Sequence, residues 1–201
     1  MVKSGLVDDP NVSQYRLTAH LGMAVFIYSL ILWTVFDLSL NYNHAIRSRI
    51  KWMSSTLTLL IFLMILSGGL VAGTRAGIPF PTWPLMGDTF IPPQIYSMNP
   101  RWLSAFEDMA TIQFNHRMFA YLLTIFIVIF AIVLLGSNVP RFLKNGTTVL
   151  LFVLSLQVVL GISTLLFYIP IPVAAAHQVG AIALLSVSLF ITHSCLSREQ
   201  I

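Results

Sequence analysis

Five apolar runs, interrupted only by scattered polar positions, divide the chain: residues 17–40, 52–73, 111–136, 148–169 and 173–196. In a helix rising about 1.5 Å per residue, runs of this length match the hydrocarbon thickness of a bilayer. None shows the alternating segments of about 10 residues that a transmembrane β-barrel requires. Backbone N–H and C=O groups in lipid must pair within their own segment, so the pattern predicts five membrane-spanning helices. The connections are short except for residues 74–110. That stretch carries Pro79, Pro81, Pro84, Pro92, Pro93 and Pro100 together with Gly77 and Gly87, which forbid a long helix. Its Trp83, Phe90, Tyr96 and Trp102 are residues that settle at a membrane interface. It reads either as a plain connection or as a lid over something bound at the helix ends.

Composition strengthens the membrane assignment. Of 201 residues, 57% are hydrophobic and 9% charged, against roughly 25% charged in a soluble domain. This excludes a soluble globular enzyme and a disordered chain. The net charge of +4 is spread along the chain, with no basic face interleaved with aromatics, so no nucleic-acid partner is expected. The single cysteine, Cys195, excludes a cysteine cluster within one chain. Residues 1–10 carry Lys3, Asp8 and Asp9 and no apolar core of a signal peptide. Arg47, Arg49 and Lys51, then Arg141 and Lys144, then Arg198 fall on one side of the predicted membrane. The positive-inside rule puts that side in the cytoplasm or matrix, with the N-terminus and the 74–110 loop outside and the C-terminus inside.

Three of the five histidines then stand out. His44 falls in an inner loop and His193 near an inner helix end. His20, His116 and His177 each fall within the first two turns of a helix entering from outside, at similar depth. A single intramembrane histidine is explained by a hydrogen bond to a neighbouring helix. Three at one level point to function, because ionisable groups in a membrane are costly. No cysteine or carboxylate cluster accompanies them, which disfavours zinc. Haem iron takes axial imidazoles, and two facing helices can supply a pair. Ala24, Ala120 and Ala181, each four residues on, leave space on the same helix faces. Arg117, near the outer interface, is placed either to pair with a haem propionate or to snorkel.

With these residues in view, the chain resembles the haem A synthase family, membrane enzymes that convert haem O to haem A for cytochrome oxidase. The resemblance rests on residues 1–6 (MVKSGL), 16–22 (RLTAHLG), 68–77 (GGLVAGTRAG), 83–87 (WPLMG), 113–117 (QFNHR), 157–164 (QVVLGIST) and 176–178 (AHQ). It implies an all-α integral membrane protein of five transmembrane helices, the last four forming a haem-binding bundle. His116 and His177 would ligate a b-type haem, haem b, and His20 would ligate the substrate haem. Residues 1–40 would be an outer segment and the last helix of the family's N-terminal bundle. Residues 41–51 would be an inner loop, and 52–201 the C-terminal bundle with outer loop 74–110.

The resemblance also implies what is missing. The family carries three earlier helices, with a partner histidine for His20 and an essential glutamate; here no Glu precedes Glu107 and no His precedes His20. The expectation is an N-terminally incomplete chain that binds one haem and does not complete the oxidation alone. No catalytic residue is assigned within it. Haem O, the lipid bilayer, and a haem O synthase or the missing half are its expected partners. A bacterial cytoplasmic membrane or a mitochondrial inner membrane is its expected location. The loop lacks the cysteine pair of some bacterial members, and its segment 78–81 (IPFP) is unusual for the family. Gly68, Gly69, Gly73, Gly161 and Ser163 are expected to let helices pack closely. The competing reading is a b-type cytochrome subunit that transfers electrons without altering its haem; a haem-free structural remnant is a third.

Overall fold

The computed structural model describes residues 13–40 and 44–196. The 1–6 motif, Lys3, Asp8, Asp9 and Arg198 lie outside the described residues. Five long helices account for most of the fold: α1 (Gln14–Ser39), α2 (Ser48–Thr74), α4 (Met109–Leu135), α5 (Arg141–Leu166) and α6 (Ile171–Leu196). All five are long and apolar enough to cross a membrane. A 3₁₀ turn, Arg101–Leu103, and a single helical turn, α3 (Ser104–Glu107), precede α4. No strand occurs among the described residues, and the chain is an all-helical integral membrane protein.

The helix ends follow local chemistry. α4 begins where Asp108 accepts a hydrogen bond from the Thr111 N–H, an N-cap. α5 begins at Arg141, seven residues before the predicted span. Pro140 suits a helix start, and Arg141 and Lys144 extend from its first turn rather than from a loop. α5 also ends early, at Leu166: Tyr168 and Ile169 take left-handed conformations, φ 59° and 60°. Pro170 then leads into α6, whose second residue, Pro172, is tolerated because first-turn N–H groups have no helical partner.

The helices alternate in direction. α2 packs on α4 and α6, and α5 packs on the same two, so the four close a ring with α4 and α6 on its diagonal. α1 docks outside the ring against α2 and α6. Small residues allow the α1–α2 approach: a Cβ on Gly73 would lie 2.7 Å from Gln14 Cα, and one on Gly69 3.1 Å from Thr18 Oγ1. Two hydrogen bonds join α1 to α6, Tyr28 Oη to Ser186 Oγ (2.7 Å) and His193 Nε2 to Asp37 Oδ1 (2.8 Å).

Packing is uneven along the ring. The apolar core includes Leu57, Ile61, Ile127, Phe130, Leu134, Leu143, Leu150, Leu185 and Ile191, all at most 1% exposed. On the four ring helices, no member of the buried cluster lies nearer the long loop than Ile65, Leu123, Leu154 and Leu184. The half of the ring away from the loop is a filled core, while the loop-side half contributes no fully buried apolar side chain to it.

Candidate functional site

The three predicted histidines lie in that loop-side half. His20, His116 and His177 stand six, seven and six residues past Gln14, Met109 and Ile171, the starts of parallel helices. The helix register sets their relative height. Gly69 of α2 meets Thr18 and Leu21, and its neighbour Gly68 meets His116, so His20 and His116 are nearly level. Ser54 and Thr58 of α2 meet Thr192 and Ser188 of α6. Continuing that antiparallel register puts His177 level with Leu70, about 3 Å along the axis from Gly68.

His116 and His177 share the ring diagonal, and each is backed by a different neighbour. Behind His116 stands α2: Ser67 Oγ lies 2.7 Å from Nδ1, and a Cβ on Gly68 would sit 3.6 Å from Cε1. Behind His177 stands α5: a Cβ on Gly161 would fall 2.9 Å from Cε1 and 3.5 Å from both ring nitrogens. The imidazole therefore rests on the bare backbone of Gly161. Gln157 Nε2 donates to the His177 carbonyl oxygen at 2.8 Å. A Cβ on Gly180 would meet Gln157 Oε1 at 2.3 Å, so this glycine is what admits the glutamine. His177 Nδ1 is buried with no hydrogen-bond partner. Gly68 and Gly161, expected to serve helix approach, lie under imidazole rings, whereas Gly69 and Gly73 do serve approach.

His20 is placed differently. Thr18 and Leu21 face α2; His20, about 200° round the helix from Thr18, is exposed on the outer face of α1. Of the remaining histidines, His44 is exposed. His193 is buried: its Nε2 meets Asp37, and its ring packs edge-on against Trp33, centroids 5.0 Å apart.

The long loop closes over the α4 end of the site. Arg117 is 6% exposed and donates to three loop carbonyls, through Nη1 to Leu85 (3.1 Å) and through Nη2 to Phe80 (3.0 Å) and Thr82 (2.8 Å). Gln113 Nε2 donates to Phe80 O as well. Tyr96 reaches back to α4, its N–H to Thr111 Oγ1 and its hydroxyl to Asn115. Arg117 Nε is buried without a partner. The loop is thus a cap fastened to the turn that carries His116. Beside it, a groove of about 490 Å³ runs between α1 and α2, with Thr18, Gly22, Leu66 and Ser67 in its lining.

Chemically, the site offers two half-buried imidazoles from opposite helices. Among the described residues, no three His, Cys, Asp or Glu side chains converge on a point. A closed tetrahedral metal site therefore does not fit, while a donor set of two imidazoles suits the two axial positions of haem iron. The glycines behind the rings keep side chains of α2 and α5 off the two imidazoles. Sequence reasoning assigned no role to Ser67, Gln157, Gln113 or the Asp37–His193 pair. Gln157 and Gln113 carried a signal as polar residues within apolar runs; Ser67 carried none.

Comparison with known proteins bears on the whole chain. The profile of the COX15-CtaA family, described as cytochrome oxidase assembly protein, matches residues 1–189. A protein named heme A synthase from Nitrosospira multiformis is 45% identical over 203 residues, covering 96% of this chain and 55% of that one. Heme A synthase COX15 from Bos taurus is 39% identical over 201 residues, covering 95% and 49%. Heme A synthase from Wolbachia pipientis is 36% identical over 207 residues, covering 100% and 55%. The chain spans about half the length of these relatives. It belongs to the COX15-CtaA family of cytochrome oxidase assembly proteins.

Proposed function

We propose that this chain carries the cofactor-haem site of a haem A synthase, the oxidoreductase that converts haem O to haem A. His116 and His177, on the two diagonal helices, would hold a b-type haem. The observation that carries this reading is their placement: two imidazoles on diagonally opposite helices, within about 3 Å of one level, in the half of the ring beyond the buried apolar cluster. Bound there, haem supplies reversible one-electron transfer. The protein's own residues bind, orient and shield it. Gly161 and Gly68 set how near the rings come to the helices behind them. The loop held by Arg117 and Gln113 limits water at the α4 end. Arg117 Nε, its buried unpartnered N–H, is the group offered to a propionate.

Substrate haem O belongs beside His20, on the exposed face of α1, with a further protein segment as its second wall. Relatives named heme A synthase support this assignment over a simple electron-transfer cytochrome. The loop end lies outside and the end bearing Arg47, Arg49, Lys51, Arg141 and Lys144 faces the cytoplasm or matrix. The test is a reduced-minus-oxidised optical spectrum of the purified chain beside His116→Ala and His177→Ala. A low-spin b-type signal, lost or turned high-spin in both variants, is the expected result. A folded wild type that takes up no haem, or a signal indifferent to both replacements, overturns it.

A further inference from the structure

We propose that Ser67 is a positioning residue that locks His116 in the Nδ1–H tautomer, so that the two imidazoles of the site are electronically unequal. The inference rests on the haem reading above for its consequence but not for its geometry. Ser67 Oγ has one proton and two close neighbours, Met64 O at 2.9 Å and His116 Nδ1 at 2.7 Å. The Met64 carbonyl can only accept. If the hydroxyl turned its proton to the imidazole, two oxygens would face each other at 2.9 Å with lone pairs opposed. Serines in apolar helices ordinarily donate back to a carbonyl three or four residues earlier, the bond made here. The proton is therefore committed to Met64, and Ser67 Oγ is left as an acceptor. Nδ1 of His116 must be the donor, and Nε2, which has no hydrogen-bond partner among the described residues, keeps its lone pair for a metal.

His177 has no such support. Its Nδ1 is buried without a partner, and the side-chain amide of Gln157 is directed to the His177 backbone carbonyl. A ligand imidazole that donates its distal N–H becomes more basic and is held in orientation. Only His116 gains this. The stronger donor favours ferric over ferrous iron, so removing the serine hydroxyl favours reduction.

Two measurements test the inference separately from the haem reading. In the haem-free full chain with ¹⁵N-labelled histidine, NMR should report His116 as Nδ1–H in wild type and in Ser67→Thr, and a shift toward Nε2–H in Ser67→Ala; His116→Ala identifies the signal. In the haem-loaded chain, Ser67→Ala should shift the reduction equilibrium about tenfold toward ferrous, 59 mV upward for one electron, and Ser67→Thr should restore it. An unchanged tautomer in Ser67→Ala overturns the positioning role. A changed tautomer with an unchanged potential overturns the electronic inequality. If the wild type binds no haem, the functional reading falls, and the tautomer still decides the role of Ser67.

Discussion

Gly161 and Gly68 both lie under imidazole rings, but at different distances, and the difference makes a prediction. A methyl on Gly161 would be 2.9 Å from His177 Cε1, closer than packed carbons come, while one on Gly68 would be an ordinary 3.6 Å from His116 Cε1. Gly161→Ala must displace the His177 ring or part α5 from α6, an overpacking cost of about 1–3 kcal/mol. Haem retention should fall about tenfold, against less than about twofold for Gly68→Ala, read by haem titration of the purified variants. Equal effects would show that the glycines serve only helix packing. At this scale, the histidines were legible because a basic side chain in an apolar run is conspicuous and its distance from a helix start can be counted. The support behind them was not. Whether Ser67 meets His116 depends on the rotation and lateral register of α2 against α4, and a serine in an apolar run carries no period to reveal it. The partner of His193 was hidden for the same reason: only the docking of α1 on α6 brings it against Asp37.

Between elements, two of the polar fastenings can be cut singly. Arg117 binds the long loop to α4 by three charge-assisted bonds to carbonyls. Hydrogen bonds to charged groups contribute about 1.5–3 kcal/mol each. Arg117→Gln should therefore release the 78–91 segment, seen as accelerated amide exchange and protease cleavage there, with the spans intact. Arg117→Lys should recover little, because a point charge cannot serve three carbonyls in a fixed fork. At the other end, His193→Ala removes the hydrogen bond to Asp37 and the edge contact with Trp33. Loss of such a buried side chain should cost about 2–3 kcal/mol. Asp37→Asn keeps an acceptor and should cost less than about 1 kcal/mol. Unfolding in detergent mixtures would rank the two, and an equal loss would mean that the charge rather than the contact matters. Hydropathy located all five helices, since length and apolarity alone decide a span. It missed the first two turns of α5, because Arg141 and Lys144 lower the average while their long stems still lie along the helix surface. It also gave no hint that Arg117 grips a loop, since the three acceptors are backbone carbonyls that any sequence possesses.

For the molecule as a whole, the distribution of imidazoles fixes how many haems one chain should hold. His116 and His177 stand on the diagonal helices of one ring, against α2 and α5 respectively. His20 stands alone on the outer face of α1, with α2 between it and His116. Among the described residues, the other two histidines cannot serve it. His193 lies at the far end of α6, bonded to Asp37, and His44 precedes α2 at that same end, more than a dozen helical residues away. A single exposed imidazole holds haem far more weakly than a facing pair, because the second axial bond forms within an already bound complex at high effective concentration. The purified chain should therefore bind haem at a ratio of about one per polypeptide, measured as haemochrome against protein. His20→Ala should leave that ratio unchanged, whereas His116→Ala and His177→Ala should each lower it. Two haems per chain, or a ratio that falls in His20→Ala, would show that α1 holds a haem of its own, alone or by pairing with a second copy of the chain.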